Sequence, residues 1–106
     1  MEHRFGWKPE YPDHRDFPLG ITITSVPDKV DLRQYCSKVE DQGNLGSCTA
    51  QALVGALEVL EVQKWGKYAD LSRLFLYYNE REIEDTVSED AGAMIRDGIK
   101  TLAKRG

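Results

Sequence analysis

The sequence predicts a mainly α-helical unit: three helices behind an extended N-terminal arm. Three observations carry this. All four prolines (Pro9, Pro12, Pro18 and Pro27) lie before residue 30. Apolar residues then recur with helical character in three separate stretches. Capping residues or glycines bound those stretches.

Residues 1–29 form the arm. Proline fixes φ and removes a backbone donor, so its repetition argues for extended chain. Phe5, Trp7, Tyr11 and Phe17 alternate with the prolines and predict that the arm packs on something. "GITIT" (20–24) has the β-branching of a short strand. Residues 30–106 form the second segment. "DLRQYCSKVEDQGNLG" (31–46) has no sustained period and reads as loop with room for one helical turn. From Cys48 to Val62 apolar residues cover nearly every face, which predicts a buried helix with Ser47 as N-cap and Gly66 as its stop. A second helix starts near Asp70 or Ser72, with Leu74, Leu76, Tyr77 and Ile83 on its inner side. "EIEDTVSED" is acidic and turn-like. A third helix runs from about Ala91 to Lys104, with Met94, Ile95, Ile99 and Leu102 at helical spacing. Its basic end followed by Gly106 suits a helix C-terminus.

The 106 residues suffice for one small domain. A net charge of −4, without a basic cluster, argues against nucleic acid as a partner. No apolar run is long enough to span a bilayer, which argues against a membrane partner. The N-terminus lacks the apolar core of a secretory signal, so a cytoplasmic location is favoured. Cys36 and Cys48 fit neither a CxxC pair nor a zinc knuckle. His3 and His14 both sit in the polar arm. No metal and no cofactor is expected.

"DQGNLGSCTA" (41–50) places Cys48 behind a glycine loop and at the start of the first helix. A cysteine there has two physical readings. It can be a small core residue. It can also be a nucleophile, because unpaired N–H groups and the positive end of the helix dipole favour a thiolate. The glycines permit close backbone approach by a ligand. The Gln42 amide, folded back, would pair with the Cys48 N–H as a two-donor oxyanion hole.

"VEDQGNLGSCTAQALVGALEVLE" resembles the active-site segment of papain-like (cathepsin-type) cysteine peptidases, in which a glutamine, a glycine loop and Gly-Ser-Cys precede a long buried helix. The resemblance extends along the chain. "VDLR" (30–33) is similar to the family's Asp-Trp-Arg entry to the mature domain, with Leu32 replacing tryptophan. Glu58 matches a glutamate of the central helix, and Ser72 the serine that opens the next one. "EDAGAMIRDGIKTLAKRG" resembles the stretch with the substrate-binding glycines. The arm resembles the N-terminal signature of microbial and viral members.

The resemblance implies the left, helical lobe of the two-lobed α+β papain-like fold. It implies Cys48 as nucleophile and Gln42 as oxyanion donor. Gly46 and Ser47 would line the S1 side of the cleft. Gly92 and Ala93 would pair with substrate backbone, and Met94 would approach the S2 pocket. The implied partner is a peptide or protein substrate. Leu45 stands where many members carry a disulfide cysteine, and Thr49 where tryptophan often follows the nucleophile. Cys36 is expected to be free or packed.

The papain-like mechanism also needs a histidine and an asparagine, which follow the cysteine by roughly 130–150 residues. Here no histidine follows His14, and Gly106 is the last residue. The expectation is therefore the nucleophile-bearing half of a thiol peptidase, inactive alone, whose C-terminal lobe brings the histidine and asparagine. His14 as a substitute base fits less well than a surface histidine in the "PDHRD" turn. A lone lobe would expose its apolar face and self-associate. The arm would be a wrapping or propeptide-like segment. The alternative reading is a non-catalytic peptide-binding or inhibitory module on the same lobe.

Overall fold

The structure, a computed structural model, describes residues 4–106. After a 3-10 turn at Arg33–Tyr35 come three helices: α1 (Cys48–Trp65), α2 (Arg73–Ile83) and α3 (Ile95–Arg105). Each helix packs against the other two. No strand forms among the described residues. An isolated bridge pairs Trp7 in parallel with Ala93. The short strand that β-branching would allow at 20–24 does not form, and the segment is extended chain: Ile21 and Ile23 are exposed, and β-branching without a neighbouring strand does not make a ladder.

The local stop signals act as read. Gly66 ends α1 in the left-handed conformation, φ 74°, with its N–H on the Val62 carbonyl at 2.9 Å. Ser72 caps α2, accepting from Phe75 N at 3.1 Å. Ser47 occupies the cap position of α1 but makes no capping bond; its hydroxyl accepts from Gln51 Nε2 instead. α3 begins at Ile95, later than the expected Ala91. The preceding backbone is drawn out by distant partners: Gly92 N–H donates to the Tyr77 hydroxyl, Ala93 pairs with the arm, and Met94 N–H donates to Glu84. Met94 is thus an extended N-cap residue and not part of the helix.

The core is Ala50, Val54, Leu76, Tyr77 and Ala93, flanked by Leu45, Leu53, Leu71 and Leu102. Burying a side chain such as Val54 or Leu76 contributes about 1.5–3 kcal/mol. α1 is not buried all round, although its apolar composition predicts that it would be. α2 and α3 cover one stripe, Ala50, Val54 and Glu58, at i, i+4 spacing, while Leu60 and Trp65 stay exposed. α2 buries Leu76 and Tyr77 but leaves Leu74 and Ile83 outside. α3 departs in part from its expected face: Leu102 packs on the core, but Ile95 and Ile99 are exposed, and Asp97, Gly98 and Thr101 are buried. Gly98 explains this. A Cβ there would collide with Leu53 and Glu80, so α3 docks through its small face, where backbone approaches closely. The arm's aromatics do not pack as expected either. Phe5, Trp7, Tyr11 and Phe17 are all exposed, and the arm is held by backbone pairing and charge instead.

A buried ion pair ties α1 to α2. Glu58, fully buried, accepts from Arg73 at 2.7 Å, from Ser37 Oγ at 2.8 Å and from Leu71 N–H at 3.2 Å. Burial acts to raise its pKa, but the hydrogen bonds from Ser37, Arg73 and Leu71 outweigh it and hold the carboxyl below its ordinary value.

Candidate active site

Cys48 is the first residue of α1 and is half-buried. The loop before it folds back. Gln42 Nε2 donates to the Leu45 carbonyl at 2.8 Å, which orients the amide, and its second hydrogen reaches the Arg4 carbonyl at 3.0 Å. The arm therefore lies across the thiol. Gly6 N–H donates to Cys48 Sγ at 3.3 Å. Ala93 N–H donates to the Gly6 carbonyl at 2.8 Å, and Lys8 N–H donates to the Ala93 carbonyl at 3.0 Å.

This crossing is too tight for side chains. A Cβ on Gly6 would meet the Gly46 carbonyl, and a Cβ on Gly92, which has φ 75°, would meet Gly6. Charge pins the arm further along. Lys8 pairs with Glu84 at 3.0 Å, Glu10 accepts from Arg96 N–H, and Arg96 pairs with Asp16.

Tyr77, expected only as a core residue of α2, and Asp90, for which the sequence suggests no role, brace the walls of this crossing. Asp90 accepts from the Gly46 N–H at 3.0 Å and from the Tyr77 hydroxyl. The same hydroxyl accepts from Gly92 N–H at 3.0 Å. One buried phenol thus joins the loop before Cys48 to the loop before α3. Burial and the Asp90 carboxylate push its pKa up to about 12. Burial acts to raise the Asp90 carboxyl, but hydrogen bonds from Tyr77 and Gly46 and the nearby Arg4 hold it below its ordinary value. No local pattern announces the pair, since Tyr77 and Asp90 sit on different elements. The one sequence cue is Tyr77 beside Leu76 on the inner face of α2.

Of the residues singled out from sequence, Gln42, Gly46, Cys48, Gly92 and Ala93 all meet arm residues 4–8. Ser47 is buried behind them and bonds within α1, and Met94 is turned toward Glu84 through its N–H. Among the described residues, no hydrogen bond joins the Cys48 N–H to the Arg4 carbonyl. His14 is exposed in a turn between Asp13 and Arg15, which pair with each other. His3 lies outside the described residues. Cys36 is an exposed free thiol.

The helical lobe thus carries a thiol at a helix N-terminus and a loop amide donor, with a peptide segment of the arm laid across both. Comparison with known proteins places it more narrowly. The chain is 49% identical, over an alignment of 127 residues covering all of it, to an uncharacterized peptidase C1-like protein of Acanthamoeba polyphaga mimivirus. It is 36% identical over 70 residues, 64% of its length, to a cathepsin L-like proteinase of Fasciola hepatica. Its fold matches the crystal structure of xylellain, a cysteine protease from Xylella fastidiosa, with a TM-score of 0.84 and 42% identity over the whole chain. No protein-family model matches. The chain spans 40% of the length of the mimivirus protein, 19% of the Fasciola proteinase and 42% of xylellain. It belongs to the papain-like cysteine peptidase family and has the fold of that family's helical lobe.

Proposed function

We infer that residues 30–106 are the nucleophile-bearing lobe of a thiol peptidase and that the arm is its resident inhibitor. The observation that carries this is the occupant of the site: a peptide segment of the chain itself. Its Arg4 carbonyl rests on Gln42, its Gly6 amide on Cys48 Sγ, and its backbone pairs with Ala93. A surface that binds one extended peptide this way suits another.

In the reaction, Cys48 Sγ attacks the scissile carbonyl and forms a thioester as the amine leaves, and water then cleaves the thioester to release the acid and the Cys48 thiol. Gln42 Nε2 and the Cys48 N–H stabilise the oxyanion. A histidine from a C-terminal lobe takes the thiol proton and delivers it to the leaving amine, and an asparagine orients it. The arm is a non-productive occupant because an N–H, and not a carbonyl carbon, faces the sulfur.

The test is peptide hydrolysis by the complete polypeptide with residues 1–29 intact or excised. Excision is expected to raise kcat/KM by roughly tenfold or more, since the substrate no longer competes with a tethered segment. Equal rates overturn the inhibitory role. Peptide binding with no hydrolysis by either form overturns the peptidase reading in favour of a non-catalytic peptide-binding module.

A further inference from the structure

One side chain of the arm reaches a charge that the reaction above leaves idle. Arg4 rests its carbonyl oxygen on Gln42 Nε2 at 3.0 Å, and its guanidinium lies 3.6 Å from Asp90 Oδ2. One residue thus meets the oxyanion donor with its backbone and an acid with its side chain. A peptide cleaved here puts its attacked carbonyl on Gln42, so the residue that supplies this carbonyl takes the place of Arg4. We propose that Asp90 is a specificity-determining residue: its carboxylate selects peptides in which the residue supplying the attacked carbonyl is basic, arginine or lysine. This rests on the peptidase reading above and names the substrate class of that site.

The carboxylate is fixed before a substrate arrives. Oδ1 accepts from Gly46 N–H at 3.0 Å and from the Tyr77 hydroxyl, which in turn accepts from Gly92 N–H at 3.0 Å. Oδ2 shares the Gly46 N–H at 3.2 Å and is the oxygen that meets Arg4. Between the acid and the arm stands Gly46. A Cβ there would sit 3.1 Å from Asp90 Oδ1 and 3.4 Å from the Cα of Gly6, and glycine leaves that space open. The Asp90 side chain is 24% exposed even with the arm in place, so a cation can reach it. The carboxyl is also ionised at neutral pH. Burial acts against the charge, but the bonds from Tyr77 and Gly46 and the cations Arg4 and Arg81 outweigh it. Arg81 does not take the place of Arg4. It lies over the Tyr77 ring at 4.1 Å and donates to the Val87 and Glu89 carbonyls. The long stems of arginine and lysine let a cation reach Asp90 from a substrate backbone running in either direction. An acidic residue in the same place meets like charge and is disfavoured.

The experiment measures kcat/KM of the complete polypeptide on a pair of peptides that differ only at the attacked carbonyl, with arginine there or its neutral isostere citrulline. The arm competes with both peptides alike, so its presence cancels in the ratio. Wild type is expected to favour arginine by roughly fivefold at low salt, the upper end for an ion pair open to solvent, and the preference should shrink as salt is raised. Asp90→Asn keeps an acceptor for Gly46 and Tyr77 but loses the charge, so it should bring the ratio close to one. Tyr77→Phe removes the brace and keeps the carboxylate, so it should slow both peptides and preserve most of the preference. A merely structural Asp90 would slow both peptides equally in Asp90→Asn and leave the ratio unchanged, and that result overturns the proposal. So does a wild-type ratio near one, while hydrolysis of both peptides would leave the peptidase reading standing. If Asp90→Asn fails to fold, the wild-type ratio and its salt dependence decide: a ratio indifferent to salt overturns the proposal. If neither peptide is hydrolysed, the peptidase reading fails, and protection of Cys48 from iodoacetamide by the same peptides decides whether Asp90 selects what binds. Equal protection overturns that role, and better protection by the arginine peptide supports it.

Discussion

Cys48→Ala in the complete polypeptide is expected to lower peptide hydrolysis by roughly 10³-fold or more, with substrate affinity and fold retained. The size of the loss follows from the role. Without Sγ no thioester forms, and the remaining amide and N–H donors act only on water attack. Retention of the fold follows from the surroundings. The sulfur is half-buried, its polar contact is the Gly6 N–H, and alanine is a good first-turn residue. Loss of that contact removes one weak bond to the arm and nothing from the core. Hydrolysis assays beside circular dichroism separate the two effects. Unchanged hydrolysis would mean that another group performs the attack.

The largest effect on stability is expected at Glu58. Glu58→Ala removes a fully buried carboxylate that satisfies Arg73, Ser37 and the Leu71 N–H together. The guanidinium, itself nearly buried, is left without its charge partner, Asp70 being 3.9 Å away and largely exposed. Breaking such a pair on one side costs about 3–5 kcal/mol. Since a small domain has a total stability of roughly 5–15 kcal/mol, denaturant melts should show the variant close to unfolding. Glu58 is held below its ordinary pKa, so its contribution is present above that ordinary value and is lost as acid protonates it in the folded state. A loss below 1 kcal/mol would show that this network does not join α1 to α2 as described.

These two residues also show what a sequence makes legible. Gly66 and Ser72 act through bonds within one turn, so their roles could be read locally. The loop and cysteine at 41–48 were legible by resemblance, because the spacing of Gln42, Gly46 and Cys48 is local and specific. What escaped depends on partners far along the chain. Ala91–Met94 carries a helical pattern, yet pairing with Gly6 and Lys8 holds it extended. Ile95 and Ile99 of α3 point outward, although Leu102 packs inward, because Gly98, not Ile99, sets the docking distance. Tyr77 looks like an ordinary core residue of a helix until Asp90 is brought against it. The arm's aromatics were misread for a related reason: the composition that suggests packing says nothing about which surface is present to receive it.

The most direct test of the account is to catch the covalent intermediate. The complete polypeptide, freed of residues 1–29, is incubated with an activated peptide ester, quenched in acid and digested, and its fragments are weighed by mass spectrometry. Attack by Sγ expels the alcohol and leaves the acyl group as a thioester, so the added mass should sit on the fragment carrying Cys48 and be absent from Cys48→Ala. Turnover of the ester with no acyl mass on Cys48, or with the mass on another residue, would contradict it.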